Sequence, residues 1–319
     1  MTFSARPVVF RNRDGLRLFG MLHLPESGRK RDAAILILSP GIKSRIAPHR
    51  LYVKMADRFT RLGFPVFRFD YAGLGDSEGE VSERYVADFY GSIQRGRYVN
   101  DVKAAMDWME GGTGIRRFIL AGLCGGAITG LLAGSRDKRI DSVAGLGIPV
   151  ILDGTDIDYY DHVSSGQLGR LREKYLGKLL DPKSWIRLVT LQTDYRLLAK
   201  SLFRPFLQLF RSDAEADGTM THSPAAESPE NGNFNRLFPS SFFSMVSSGR
   251  RILLVFSEKD RLYWEFDEKF RKPFRSRLEE YRGSVDIHVT KDANHIFSFP
   301  EWQEDMMERV CGWLEVNYP

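Results

Sequence analysis

The chain has 319 residues, 43% of them hydrophobic and 27% charged, with a formal net charge of +5. That length supports one large domain or two modest ones around a substantial core, and the composition excludes a disordered or fibrous chain. The mildly basic balance identifies no partner by itself, and two cysteines, Cys124 and Cys311, speak against a disulfide scaffold.

The opening "MTFSARPVVFRNRDG" has no basic region followed by an apolar run, so no signal peptide is read and a reduced, cytoplasmic setting is expected. "PVVFRN" and "LRLFGMLHLP" pattern as a hairpin turning at Asp14-Gly15. "AAILILSPG" is a short continuous apolar run, as a strand buried on both faces requires. Leu51, Met55, Phe59 and Leu62 then recur at helical spacing until Gly63. "FPVFRFD" is the next strand, and a long helical stretch leads to Trp108 and Met109. "RRFILAGL" gives a buried strand that turns at Cys124 into a helix, and "IDSVAGLGIPV" a further strand. The uncharged run from Phe118 to Ser135 holds too many glycines for a membrane span, and strand, turn and helix explain it better. After an interruption come "RILLVFS", a helix around Trp264 to Tyr281, "SVDIHVT" and a closing helix from Pro300 to Val316. Strand alternating with helix predicts a mainly parallel α/β sheet flanked by helices.

The alternation stops between Leu152 and Ser248. This segment first patterns as aromatic helices and then becomes "SDAEADGTMTHSPAAESPENGN", polar and rich in Ser, Pro, Glu and Gly. It is expected to be a helical cap over 152–248, with a flexible loop near 212–235, inserted into a core of 1–151 and 249–319. A separate small domain without catalytic duty is the alternative. The cap is basic, and that charge would either draw an acidic carrier or simply cover a solvated helix face. Its aromatic residues, Trp185, Tyr195, Phe203, Phe206 and Phe210, would line an acyl pocket or form the cap's own core.

Chemistry concentrates at strand ends. Gly122-Leu123-Cys124-Gly125-Gly126 has the G-x-C-x-G spacing of a nucleophile elbow, whose strained turn needs small flanking residues. A cysteine at a helix start favours the thiolate. A buried structural cysteine would fit the same pentapeptide, but its partners shift the balance. Asp260 follows the strand "LLVFS" and His295 follows "SVDIHVT", so nucleophile, acid and base occur in that order, each after a core strand. His295 would take the thiol proton while Asp260 orients the imidazole, with Glu258 as the fallback acid. The N–H groups of Gly125 and of Ile42, in "LILSPGIKS", are the expected oxyanion donors. Cys311 patterns with core residues, and His288 as a packed or surface histidine. No dinucleotide fingerprint, phosphate-binding loop or H-E-x-x-H helix occurs, which argues against nucleotide, phosphoryl and zinc chemistry. No cofactor, metal, nucleic acid or membrane span is expected.

With "SPG", "FDYAGLGDSEG", the elbow and the two later loops in place, the chain resembles the α/β-hydrolase superfamily over nearly its whole length. "GIKSRIAPHRLYVKMADRFTRLGFPVFRFDYAGLGDSEG" looks like the serine aminopeptidase (S33-type) and acyl-hydrolase branch. "KYLGKLLDPKSWIRL" and "SEKDRLYWEF" are similar to hydrolases associated with bacterial exosortase systems. Two departures stand out. Cys124 replaces the usual serine, as in dienelactone hydrolases and polyhydroxyalkanoate synthases, and Ala72 replaces the arginine of D-x-R-G-x-G-x-S, which removes an expected supporting ion pair. The resemblance implies an esterase or thioesterase working through an acyl-Cys124 intermediate on a small acyl substrate, free or carried on coenzyme A or an acyl carrier protein. Acyl transfer to an alcohol, amine or thiol is the second reading, and a non-catalytic scaffold the third.

Overall fold

The computed structural model describes residues 3–25, 30–154 and 233–319, all within the first of two units into which the chain divides, 1–157 with 233–319. Most of the expected cap and of its polar loop lies outside the described residues.

Among the described residues, eight strands form one sheet: β1 Phe3–Arg11, β2 Arg17–Pro25, β3 Ala33–Leu38, β4 Val66–Phe69, β5 Arg117–Leu123, β6 Ile140–Leu146, β7 Arg251–Ser257 and β8 Val285–Thr290. Their order is β1-β2-β4-β3-β5-β6-β7-β8. β1 and β2 form the antiparallel hairpin expected from the sequence, β2 meets β4 antiparallel, and every pairing from β4 to β8 is parallel. A parallel sheet must be covered on both faces, and the continuous apolar run of β3 is buried at every residue.

The covering helices are α1 Leu51–Arg61, α2 Val86–Gln94, α3 Val99–Thr113, α4 Gly125–Gly134, α5 Leu237–Ser247, α6 Arg261–Phe266, α7 Arg275–Glu280 and α8 Pro300–Asn317. One face packs under α1 and α8, with Met55, Phe59, Met306 and Val310 against Ile35, Ile37 and Leu253. The other lies under α2 to α5, with Ile93, Val102, Leu131 and Phe238 against Leu36, Leu120 and Leu254.

Three features differ from the sequence expectation. The long helix toward Trp108 is two helices, α2 and α3, because Gly96 takes a left-handed φ of 102° between them. The helix expected from Trp264 to Tyr281 is α6, a π-turn at Asp267–Arg271, and α7. Pro273 lacks an N–H and cannot continue the ladder. The third concerns the insertion boundary. Residues 237–247, inside the expected cap, form α5, which buries Phe238, Phe242, Met245 and Val246 in the main core. The chain is back in the core by Asn233. There Leu152 N–H donates to the Asn233 carbonyl at 2.7 Å, and the Asn233 amide returns a bond to the Leu152 carbonyl at 2.9 Å. An amphipathic helix looks the same in sequence whether it covers a sheet or belongs to a cap, so the pattern alone could not assign it.

Candidate active site

The position of Cys124, the expected nucleophile, is set by backbone sterics. Cys124 joins β5 to α4 at φ 53° and ψ −112°, a conformation costly for a residue with a Cβ. Its N–H donates to the Leu146 carbonyl on β6 at 2.8 Å, which pins the turn to the neighbouring strand. A Cβ on Gly122 would stand 2.6 Å from the Gly126 carbonyl carbon, and one on Gly126 would overlap the Leu38 carbonyl oxygen. The elbow therefore closes only with glycine at both places.

The expected acid and base lie in the loops after β7 and β8. These loops are stitched together by Glu258 N–H to the Thr290 carbonyl and Lys259 N–H to the Ala293 carbonyl, both at 3.0 Å. Asp260, 7% exposed, caps α6 and sits 2.7 Å from His295 through Oδ2 and Nδ1. A carboxylate only accepts, so Nδ1 is the donor, and Nε2 is left for Cys124, whose side chain is within hydrogen-bonding reach of the ring. Burial disfavours the charged imidazole, but the Asp260 bond, the Cys124 bond and the negative charge of both outweigh it and push His295 up to about 10. Cys124, His295 and Asp260 are thus brought together. Glu258 instead accepts the Asp292 N–H and faces Lys259.

The loop after β3 lies against the elbow: a Cβ on Gly125 would be 3.3 Å from Gly41 Cα. Ile42, the expected second oxyanion donor, follows and has an exposed side chain. Remote side chains hold this loop. Tyr52 of α1, fully buried, donates to the Leu38 carbonyl at 2.8 Å and accepts the Leu123 N–H at 2.7 Å, joining the ends of β3 and β5 beneath the site. Asp70, also fully buried, accepts the Arg45 N–H and ion-pairs with the Arg45 guanidinium, which reaches Asp76 at 2.7 Å as well. Asp70 is thus paired with Arg45.

Tyr90 of α2 packs its ring on Gly41, where a Cβ would come 2.7 Å from the ring edge. Its hydroxyl lies within reach of the Ile42 N–H, and burial together with the negative charges of Cys124 and Asp153 pushes it up to about 12. It therefore stays a neutral donor beside the thiol.

Tyr52, Arg45 and Tyr90 are the residues that sequence reasoning missed. Tyr52 left one usable signal, a tyrosine on the buried face of an amphipathic helix, where a hydroxyl needs a partner. Of the remaining candidates, Cys311 is half-buried against the α1/α8 core, and burial pushes it up to about 11. His288 bonds Asp305 at 2.8 Å on β8, away from the site residues.

No protein-family model matches the chain, and no curated protein sequence does. Solved structures do. The esterase Pf2001 of Pyrococcus furiosus superposes with TM-score 0.58 at 18% identity, over 98% of this chain and 91% of its own. The esterase domain of a Rhodothermus marinus protein gives 0.54 at 16%, over 98% of each chain. XC6422 of Xanthomonas campestris, an α/β serine hydrolase without a lid, gives 0.52 at 13%, over 99% and 96%. Together with the strand order, these likenesses establish the α/β-hydrolase fold for this chain.

Proposed function

We propose that the protein is an ester or thioester hydrolase that works through an acyl intermediate on Cys124. The observation that carries this reading is a single imidazole held between Asp260 and a cysteine on a left-handed elbow. The likeness to structures of esterases supports it.

Sγ bonds to the acyl carbon with its proton held on His295 Nε2, as the raised imidazole favours, and the carbonyl π pair moves onto oxygen. The Gly125 and Ile42 N–H groups stabilise that oxyanion. Collapse breaks the bond to the leaving alcohol or thiol, which takes the proton from His295 and leaves acyl-Cys124. Water then gives a proton to His295 and attacks the thioester, and Sγ departs to recover that proton. Asp260 stays ionised throughout and keeps the ring in the required tautomer.

A sulfur nucleophile suits a thioester substrate, because the first exchange replaces one thioester by another. The insertion between Asp153 and Asn233 is read as the cap that selects the acyl group. Its basic stretch would meet the phosphates of coenzyme A or the acidic surface of an acyl carrier protein. An alcohol, amine or thiol in place of water would make the same intermediate a transfer enzyme.

The test is intact mass after brief exposure to acyl thioesters and p-nitrophenyl esters, with wild type and Cys124→Ala side by side. An acyl adduct and turnover that both vanish in Cys124→Ala are expected. Release to water assigns hydrolysis, and release only on adding an acceptor assigns transfer. Equal turnover in both forms, or none in wild type, sinks the reading, and none in wild type leaves a scaffold.

A further inference from the structure

On the α1 face an open pocket of about 380 Å³ is lined by Arg45, Arg50 and Arg68 with Met21, Ile46 and Val53. That volume is near the lower end for ligand pockets and suits a small group. Arg68 projects from β4 and is only 7% exposed, yet its hydrogen bonds go to neutral acceptors. Nε donates to His23 Nε2 at 3.1 Å and Nη1 to the Arg45 carbonyl at 3.2 Å. His23 is itself kept uncharged, pushed down to about 4 by burial and then by Arg68. The carboxylates in this region are engaged elsewhere, Asp70 and Asp76 by Arg45 and Asp57 by Arg61. Among the described residues no ion pair reaches Arg50 or Arg68.

A buried cation without a carboxylate is expensive, and one beside other cations more so. Burial, then the charges of Arg45 and Arg50, outweigh the opposing charge of Asp70 and push Arg68 down to about 10, still charged at neutral pH. Helix α1 starts at the same place, with no side-chain cap and no acidic residue in its first turn, so its positive dipole end is uncompensated. Each of these features would be relieved by one anion.

We propose that the pocket binds a phosphate group, held by Arg50 and Arg68. A carboxylate offers two oxygens and is satisfied by one guanidinium. Two guanidiniums and a helix start call for the additional acceptor oxygens of a tetrahedral anion. The apolar walls of Met21, Ile46 and Val53 keep the local dielectric low and strengthen the pairing. They also favour a phosphate ester over free phosphate, since an organic group would cover them. The site stands apart from the hydrolase reading, although Arg45 anchors the oxyanion loop and a ligand on Arg68 would stiffen it.

The test is thermal unfolding of the full chain, titrated with inorganic phosphate and separately with phenyl phosphate, against chloride at matched ionic strength. Wild type should show a saturable upward shift. Arg50→Ala, at an exposed position, should fold normally and bind about tenfold or more weakly, the worth of one charge-assisted contact. Arg68→Met should lose the shift while melting no lower than wild type in chloride, because it removes a buried charge that ion-pairs with no carboxylate among the described residues. Tighter binding of phenyl phosphate assigns an ester, and equal or weaker binding assigns free phosphate. No saturable shift in wild type with either probe, or an undiminished shift in Arg50→Ala, overturns the site.

Discussion

The two sides of the proposed active site are built by different physics. On the nucleophile side, Cys124 is fixed by backbone packing, with glycines whose missing Cβ atoms leave room for the turn and Leu38. On the oxyanion and acid–base side, position comes from polar side chains reaching across the fold: Tyr52 to Leu38 and Leu123, Arg45 to Asp70, Asp260 to His295. Steric fixation is local, independent of pH and intolerant of any added atom. Polar fixation is long-range, tolerant of shape and sensitive to charge. Each side should therefore fail in its own way.

The largest effect belongs to the steric side. Gly126→Ala drives a methyl into the Leu38 carbonyl, which is backbone and cannot swing aside. We expect a loss of about 3 kcal/mol or more in urea unfolding, or no soluble protein. A variant of near wild-type stability would show that the elbow is looser than its geometry. Tyr52→Phe probes the other side with almost no change of shape. It strands a buried carbonyl and a buried N–H, for an expected cost of about 1–3 kcal/mol. Activity should fall with it, because Leu38 and Leu123 lead directly into the oxyanion loop and the elbow.

The same division governs what could be read in advance. Cys124, Asp260 and His295 are legible because each follows an apolar strand run, and the glycines of the elbow are specified within five residues. The sheet is legible for the same reason, since its strands are continuous apolar segments. Arg45 was not legible, because its partner Asp70 lies 25 positions away and is identified only by packing. Tyr90 depended on where α2 lands, which periodicity does not fix. α5 was hidden because its apolar face carries no label of what it will cover.

A titration sharpens the comparison further. His295 is raised from an ordinary 6.5 to about 10, opposed by burial and carried by Asp260 and Cys124. A raised basic group stabilises the fold fully below its ordinary value, and that contribution disappears as pH rises through about 10. Asp260→Asn removes the charge that raises it, so the imidazole midpoint followed by NMR should fall and the alkaline loss of stability should begin at lower pH. Gly126 has nothing to titrate, so the elbow should contribute no such dependence. An unchanged His295 midpoint in Asp260→Asn would show that the Asp260 contact does not hold the proton.

The smallest expected effect is the most discriminating, because Tyr90 takes part in both kinds of fixation. Its ring packs on Gly41 as a steric wedge, and its hydroxyl lies by the Ile42 N–H near Cys124. Tyr90→Phe keeps the wedge and removes only the hydroxyl, so stability should stay within about 0.5 kcal/mol of wild type. Two consequences for rate can be told apart. If the hydroxyl only occupies the Ile42 N–H until substrate arrives, its loss leaves kcat unchanged or raises it. If it turns its own proton toward the oxyanion, kcat falls with KM unchanged, because the bond exists only once charge has developed on oxygen. The second outcome is expected, at about tenfold, because burial and neighbouring negative charge keep the Tyr90 proton in place at any working pH and leave the oxyanion as its strongest acceptor.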